Sequence, residues 1–75
     1  MLELNLDRPD MQVERSIVTR CSQYGLVASV EVHREPAPFV LVEMLRRDQT
    51  EGVASHYQGS IFGSAALIRL KHVDE

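Results

Sequence analysis

Few residues in this chain have the type and spacing to do chemistry. The sequence holds three histidines, His33, His56 and His72, and one cysteine, Cys21. The histidines fall in different predicted elements, so no pair stands at metal-ligand spacing. A single cysteine excludes an intramolecular disulfide and any site built from several thiolates. Cys21 also occupies an apolar helical position, and nothing near it in sequence would lower its pKa, so it reads as a buried structural thiol. The loop Asp7-Arg8-Pro9-Asp10 has no glycine and carries two carboxylates, which is the wrong chemistry for cradling a phosphate. No Ser-His-Asp or Cys-His arrangement can be assembled from the order of the residues. The expectation is a protein that is not an enzyme and holds neither metal nor cofactor.

What remains is binding chemistry. Phe39 and Leu41 stand two apart in the most apolar stretch, and Leu67, Arg69 and Lys71 stand two apart near the end. Period-two spacing puts each set on one face of a strand. Glu3, Asn5, Ser29 and His33 are expected to join them, and Glu31 and Glu43 alternate onto the same face. Arg34, Arg69, Lys71, His33 and His72 are expected to ring this face from the strand ends, where cations could hold phosphates. The carboxylates oppose that role. Arg46 and Arg47 read as a solvated loop pair.

The elements that must position these groups follow from pattern. The 75 residues allow one domain, spanning 1–75, with 44% hydrophobic and 25% charged residues, as in a folded globular chain. A chain of this size buries only about 60% of its unfolded surface. Leu2-Glu3-Leu4-Asn5-Leu6 alternates and reads as a strand. Acids and Pro9 open a helix whose stripe is Val13, Ile17, Cys21 and Tyr24, with Gly25 as a left-handed C-cap. Val27 to Arg34 and Phe39 to Leu45 read as two strands joined by Glu35-Pro36-Ala37-Pro38, an antiparallel hairpin. Asp48 to Glu51 fits a capping box for a second helix with Val53, Ala54 and Tyr57 on its inner side. Gly59 ends that helix, Ile61-Phe62-Gly63 reads as a turn with an apolar plug, and Ala65 to Lys71 is the closing strand.

The order is β-α-β-β-α-β. It predicts an α+β, ferredoxin-like sandwich: a four-stranded antiparallel sheet with two helices on one face. The crossover rule places the first and third strands side by side in the centre. The expected core is Leu4, Val13, Ile17, Cys21, Val27, Val30, Val32, Val40, Val42, Ala54, Tyr57, Ile68 and Leu70. The other face of the sheet is left open.

The chain resembles the RNA recognition motif family over Leu2 to about Lys71. The resemblance is carried by Asn5-Leu6-Asp7-Arg8-Pro9-Asp10 at the first strand's end, by Cys21-Ser22-Gln23-Tyr24-Gly25 with Val27, Val30 and Val32 after it, and by Tyr57-Gln58-Gly59 followed by Phe62, Gly63 and Ala66-Leu67-Ile68. It implies a small single-stranded RNA-binding module. The family's third-strand signature falls on Ala37 to Met44. Phe39 matches its first aromatic position, Leu41 replaces the second, and its basic residue and glycine are missing. On the first strand, alternation places Glu3 where an aromatic would stack; a register slipped by one would put Leu2 there and bury Glu3 unpaired.

Folds of this order also serve acylphosphatases and metal chaperones. The first need a glycine-rich loop, an Arg and an Asn; here the only asparagine is Asn5. The second need Cys-x-x-Cys, which is absent. The expected function is therefore weak binding of single-stranded RNA through the open face, with Glu3, Asn5, Ser29, His33, Phe39, Leu41, Leu67, Arg69 and Lys71 as contacts. The alternative is a fold of the same kind that uses this face for a protein partner or its own dimer. Eight basic against eleven acidic residues, a net charge of −3, favour the alternative. Base stacking is worth about 1–3 kcal/mol per base, so two lost aromatic platforms weaken the RNA reading. The longest apolar runs, Phe39 to Val42 and Ala65 to Ile68, are far too short to span a bilayer, no secretory signal opens the chain, and a cytoplasmic location is expected.

Overall fold

The computed structural model describes residues 1–74. Alternation sets the first element. Leu2 and Leu4 are 1% and 3% exposed while Glu3 between them faces solvent, so strand β1 (Leu2–Leu4) keeps the register that leaves Glu3 in water. Helix α1 (Asp10–Cys21) follows and buries Val13, Ile17 and Cys21, its stripe at spacings of four. It closes in a 3₁₀ turn, Ser22–Tyr24, before the chain swings at Gly25, whose φ of +142° belongs to glycine. The expected helix therefore ends earlier, and its cap is a 3₁₀ turn rather than a left-handed residue. Strands β2 (Val27–His33) and β3 (Phe39–Met44) form the expected antiparallel hairpin, pairing Val30 with Val42, Val32 with Val40 and His33 with Phe39. Helix α2 spans Arg47–His56.

Two expectations are corrected here. Asp48 is not the N-cap of α2. Arg46 holds that place, its carbonyl accepting the N–H groups of Gln49 and Thr50, and Asp48 lies inside the first turn paired with Arg46. The second correction concerns the sheet. Of the expected turn Ile61-Phe62-Gly63 only Gly63 turns; Ile61 and Phe62 join Ser60 in a short strand, β4 (Ser60–Phe62), which leads through Gly63 to the last strand, β5 (Ala65–His72). Gly63, at φ +65°, makes the reversal.

That extra hairpin reverses the last strand. In the expected order α2 hands the chain directly to a closing strand; here β4 intervenes and β5 returns the opposite way. β5 therefore runs antiparallel to β3 and parallel to β1, and it inserts between them. The sheet is five-stranded and mixed, in the order β1-β5-β3-β2, with β4 also on β5. It is not the four-stranded antiparallel sheet expected, and β1 lies at an edge instead of beside β3. β5 shares one of its edges between two short strands. Ala65, Ala66 and Leu67 pair with β4, and Leu70, Lys71 and His72 pair with β1.

Both helices contribute to a single core against one face of this sheet. Leu2, Leu4, Val13, Ile17, Cys21, Val40, Val42, Met44, Val53, Ala54, Ala66, Ile68 and Leu70 are buried in it. Val27, Val30, Val32 and Tyr57, expected in the core, are only half-buried at its margin. β2 is an edge strand with a bulge at Ala28, and α1 covers it incompletely. Leu2, Met44, Val53 and Ala66 complete the core in their place.

The open sheet face as candidate binding surface

Side chains alternate along each strand, so core residues at Val40, Val42, Ala66 and Ile68 leave Phe39, Leu41, Leu67 and Arg69 on the opposite face. Cross-strand register brings them together: Phe39 faces Arg69 and Leu41 faces Leu67 on β5, while His33 faces Phe39 and Glu31 faces Leu41 on β2. Glu3 faces Lys71 across the parallel β1–β5 pair, and Ser29 faces Glu43. Eight of the expected contacts thus share one surface. Asn5 does not. It follows β1 in a loop, where its Oδ1 accepts the Asp7 N–H at 2.9 Å in an Asx-type turn.

Phe39 is the organising residue of this face. His33 stacks on it from the β2 side, with ring centroids 4.7 Å apart and planes 7° from parallel. The His33 Nε2–H is in turn held by Glu31 Oε2 at 2.9 Å. On the β5 side Phe39 borders a hollow of about 230 Å³ lined by Pro36, Ala37, Pro38, Leu67 and Arg69. A second hollow of about 250 Å³, lined by Met1, Gln58, Gly59, Ser60, Leu67 and Arg69, adjoins it. Arg69 and Leu67 stand between the two. Among the described residues Arg69 and Lys71 form no ion pair, whereas Glu31 is engaged by His33.

Two of the basic residues expected on the rim are used elsewhere. Arg34 turns to the loop after β1. Its Nε donates to Asp10 Oδ1 at 2.7 Å, Nη1 to the Leu6 carbonyl at 2.6 Å and Nη2 to the Arg8 carbonyl at 2.9 Å. His72 accepts the Leu6 N–H on Nδ1 at 3.0 Å, leaving Nε2–H for Asp74 at 3.1 Å. A strand end can point its last side chain along the sheet edge as readily as across its face, and alternation alone does not distinguish these.

The pattern reading missed the two prolines as a wall of the Phe39 hollow, and it missed Ser60 and Phe62. Register places both on this face, opposite Leu67 and Ala65, and Phe62 is 58% exposed. A signal for them was present: Ser60-Ile61-Phe62 and Ala65-Ala66-Leu67 flank Gly63-Ser64, a two-residue hairpin signature.

Elsewhere the chemistry is sparse. Burial pushes the Cys21 thiol above its usual range, which keeps it protonated and unreactive. Among the described residues no three His, Cys, Asp or Glu side chains are grouped to hold a metal ion, and no helix is long and apolar enough to cross a membrane. Comparison with protein-family models, with curated proteins and with solved structures returns no match.

Proposed function

We propose that this chain is a binding module whose open sheet face takes single-stranded RNA weakly, with one base against Phe39. The observation that carries the reading is the asymmetry of that ring. One side is stacked and braced by His33, and the other side opens on a hollow walled by Pro36 and Pro38 with Arg69 at its margin. A flat base fits an aromatic wall braced in this way, and a guanidinium at the margin suits either stacking or a phosphate. Lys71, two residues along the same strand and face, supplies a second cation.

The resemblance to the RNA recognition motif supports RNA as the ligand class through the order of its sequence fragments. The strand order moves the platform from the first and third strands to β3 and β5. Glu3, Glu31 and Glu43 on the same face oppose phosphate binding, so affinity is expected to be low and salt-sensitive. The use of this face for a protein partner is the competing outcome.

An amide-shift NMR titration with pools of short single-stranded RNA, at low and at physiological salt, tests the reading. Shifts confined to Phe39, Leu67, Arg69 and Lys71 that fade with salt are expected. Phe39→Ala is expected to weaken binding by about 10- to 100-fold, the equivalent of one stacked base. Glu43→Lys is expected to strengthen RNA binding, which a protein contact gives no reason to expect. Absence of shifts at millimolar RNA would overturn the proposal and leave the face to a protein.

A further inference from the structure

A second surface lies on the far edge of the molecule. β2 pairs only with β3, so the N–H and C=O groups along its other side have no partner strand. Edge strands are ordinarily blunted by Lys, Pro or a bulge. Here the bulge sits at Ala28, close to one end, and Ser29–His33 pairs in regular register with neither Lys nor Pro. Beside this edge lies an open groove of about 410 Å³ between β2 and α1, bordered by Met11, Glu14, Arg15, Val18, Ala28 and Val30. Met11 is 71% exposed and Val18 37%, and both are apolar. Among the described residues neither Glu14 nor Arg15 forms an ion pair.

We propose that two copies of this chain associate antiparallel through the free edges of β2, with their α1 helices side by side on the same face of the joined sheet. The sequence is self-complementary about that axis. A two-fold centred on Val30 sets Val30 against its own copy and Glu31 against Ser29, and brings Val32 opposite the bulge at Ala28. The apolar side chains meet on the helix-covered side, and the carboxylates of the two copies are kept apart. A two-fold passing between Glu14 and Arg15 of α1 sets Met11 against Val18 and Glu14 against Arg15. Each helix thus offers an apolar residue and a charge to its complement on the other. Isologous contacts of this kind require a patch that matches itself when rotated, and both elements bordering the groove meet that requirement. Strand addition at an exposed edge supplies the main-chain hydrogen bonds. The open faces stay free, and the two Phe39 sites come to lie on one continuous surface about 25 Å apart, three strand spacings across and about six residues along the strands.

Sedimentation velocity of the whole chain tests this, with charge reversal at the axis as the diagnostic. The wild type is expected to dimerise by about 100 μM. Glu14→Arg alone and Arg15→Glu alone place like charges across the axis and are each expected to weaken association at least tenfold. The double variant Glu14→Arg/Arg15→Glu restores opposite charges and is expected to recover it. Both side chains lie at the surface, and circular dichroism checks that each variant is folded. Amide exchange supplies an independent readout: protection of Val30 to Val32 is expected to rise with protein concentration. A wild type that stays monomeric at 0.5 mM would overturn the proposal. So would a dimer indifferent to both single reversals, a double variant that fails to recover, or a dimer dissociated by Phe39→Ala.

Discussion

Arg34 and Asp10 stand 24 positions apart in the sequence and 2.7 Å apart in the fold, joining the residue after β2 to the first residue of α1. The same guanidinium also holds the carbonyls of Leu6 and Arg8, so one side chain fixes the whole β1–α1 loop. The ion pair itself is largely solvated and contributes little. The hydrogen bonds to two main-chain carbonyls matter more, because they orient a loop that lacks glycine. Arg34→Ala is expected to lower stability by about 1–2 kcal/mol, and Asp10→Ala by under about 1 kcal/mol, in urea denaturation. Arg34→Lys is expected to recover less than half, since an ammonium group cannot reproduce the planar fork. Equal costs for Arg34→Ala and Asp10→Ala would mean that the carbonyl bonds contribute nothing.

Thr50 is the one buried polar residue of the described chain, 2% exposed. Its Oγ1 accepts the N–H of Met44 at 3.0 Å, tying the end of β3 to the second turn of α2, and its hydroxyl donates toward the Arg46 carbonyl at 3.4 Å. Thr50→Val keeps the shape but orphans a buried backbone donor. It is expected to cost about 1–3 kcal/mol, while Thr50→Ser retains most of the stability. Thermal melts of the two variants separate the hydroxyl from the methyl.

Two glycines seven positions apart, Gly52 and Gly59, have opposite reasons to be there. A Cβ on Gly52 would meet nothing within 4 Å, whereas one on Gly59 would sit 2.3 Å from the Leu67 carbonyl oxygen. Gly52→Ala, on the exposed side of α2, is expected to stabilise by about 0.5–1 kcal/mol. Gly59→Ala must push β5 away from the end of α2 and is expected to destabilise by about 1–3 kcal/mol. Chemical denaturation of both decides; a neutral Gly59→Ala would mean that the approach of Gly59 to β5 is not maintained in solution.

The contrast between these residues shows what was legible in the sequence. Alternation and helical spacing are local, so they identified two helices, the β2–β3 hairpin and eight side chains of the open face, and they chose the register that exposes Glu3. Strand order is not local. It turned on whether Ser60 to Phe62 formed a strand, because that three-residue element decides the direction of β5 and hence whether β1 meets β3 or β5. Three residues give too short a run for periodicity, although the Gly63-Ser64 turn was a usable sign. Arg34 shows the same limit for side chains. Its type and its place at a strand end were visible, but its partners, Leu6, Arg8 and Asp10, became neighbours only when β2 ran back alongside the start of α1.

Cys21 links this packing to pH. It is fully buried, and burial raises its thiol pKa; burial likewise raises the Tyr57 phenol, with the Cys21 and Tyr24 charges adding to the effect and Arg20 opposing it. In the unfolded chain the thiol titrates at about 8.5 and the phenol at about 10. Above about pH 8.5 the unfolded chain releases the Cys21 proton while the native chain retains it. The unfolded state then binds fewer protons, and stability falls as pH rises. The contribution is fully present below the unfolded thiol value and is lost progressively as pH climbs through the raised native one, with Tyr57 extending the loss above about pH 10. Cys21→Ala leaves a small cavity and costs stability at neutral pH, but it removes the thiol's share of this slope. Urea denaturation at pH 7.5, 9 and 10 is therefore expected to show the wild type losing its advantage over Cys21→Ala as pH increases. A constant difference across that range would mean that the thiol ionises in the native state as freely as in the unfolded one, which a side chain enclosed by α1 and the sheet cannot do.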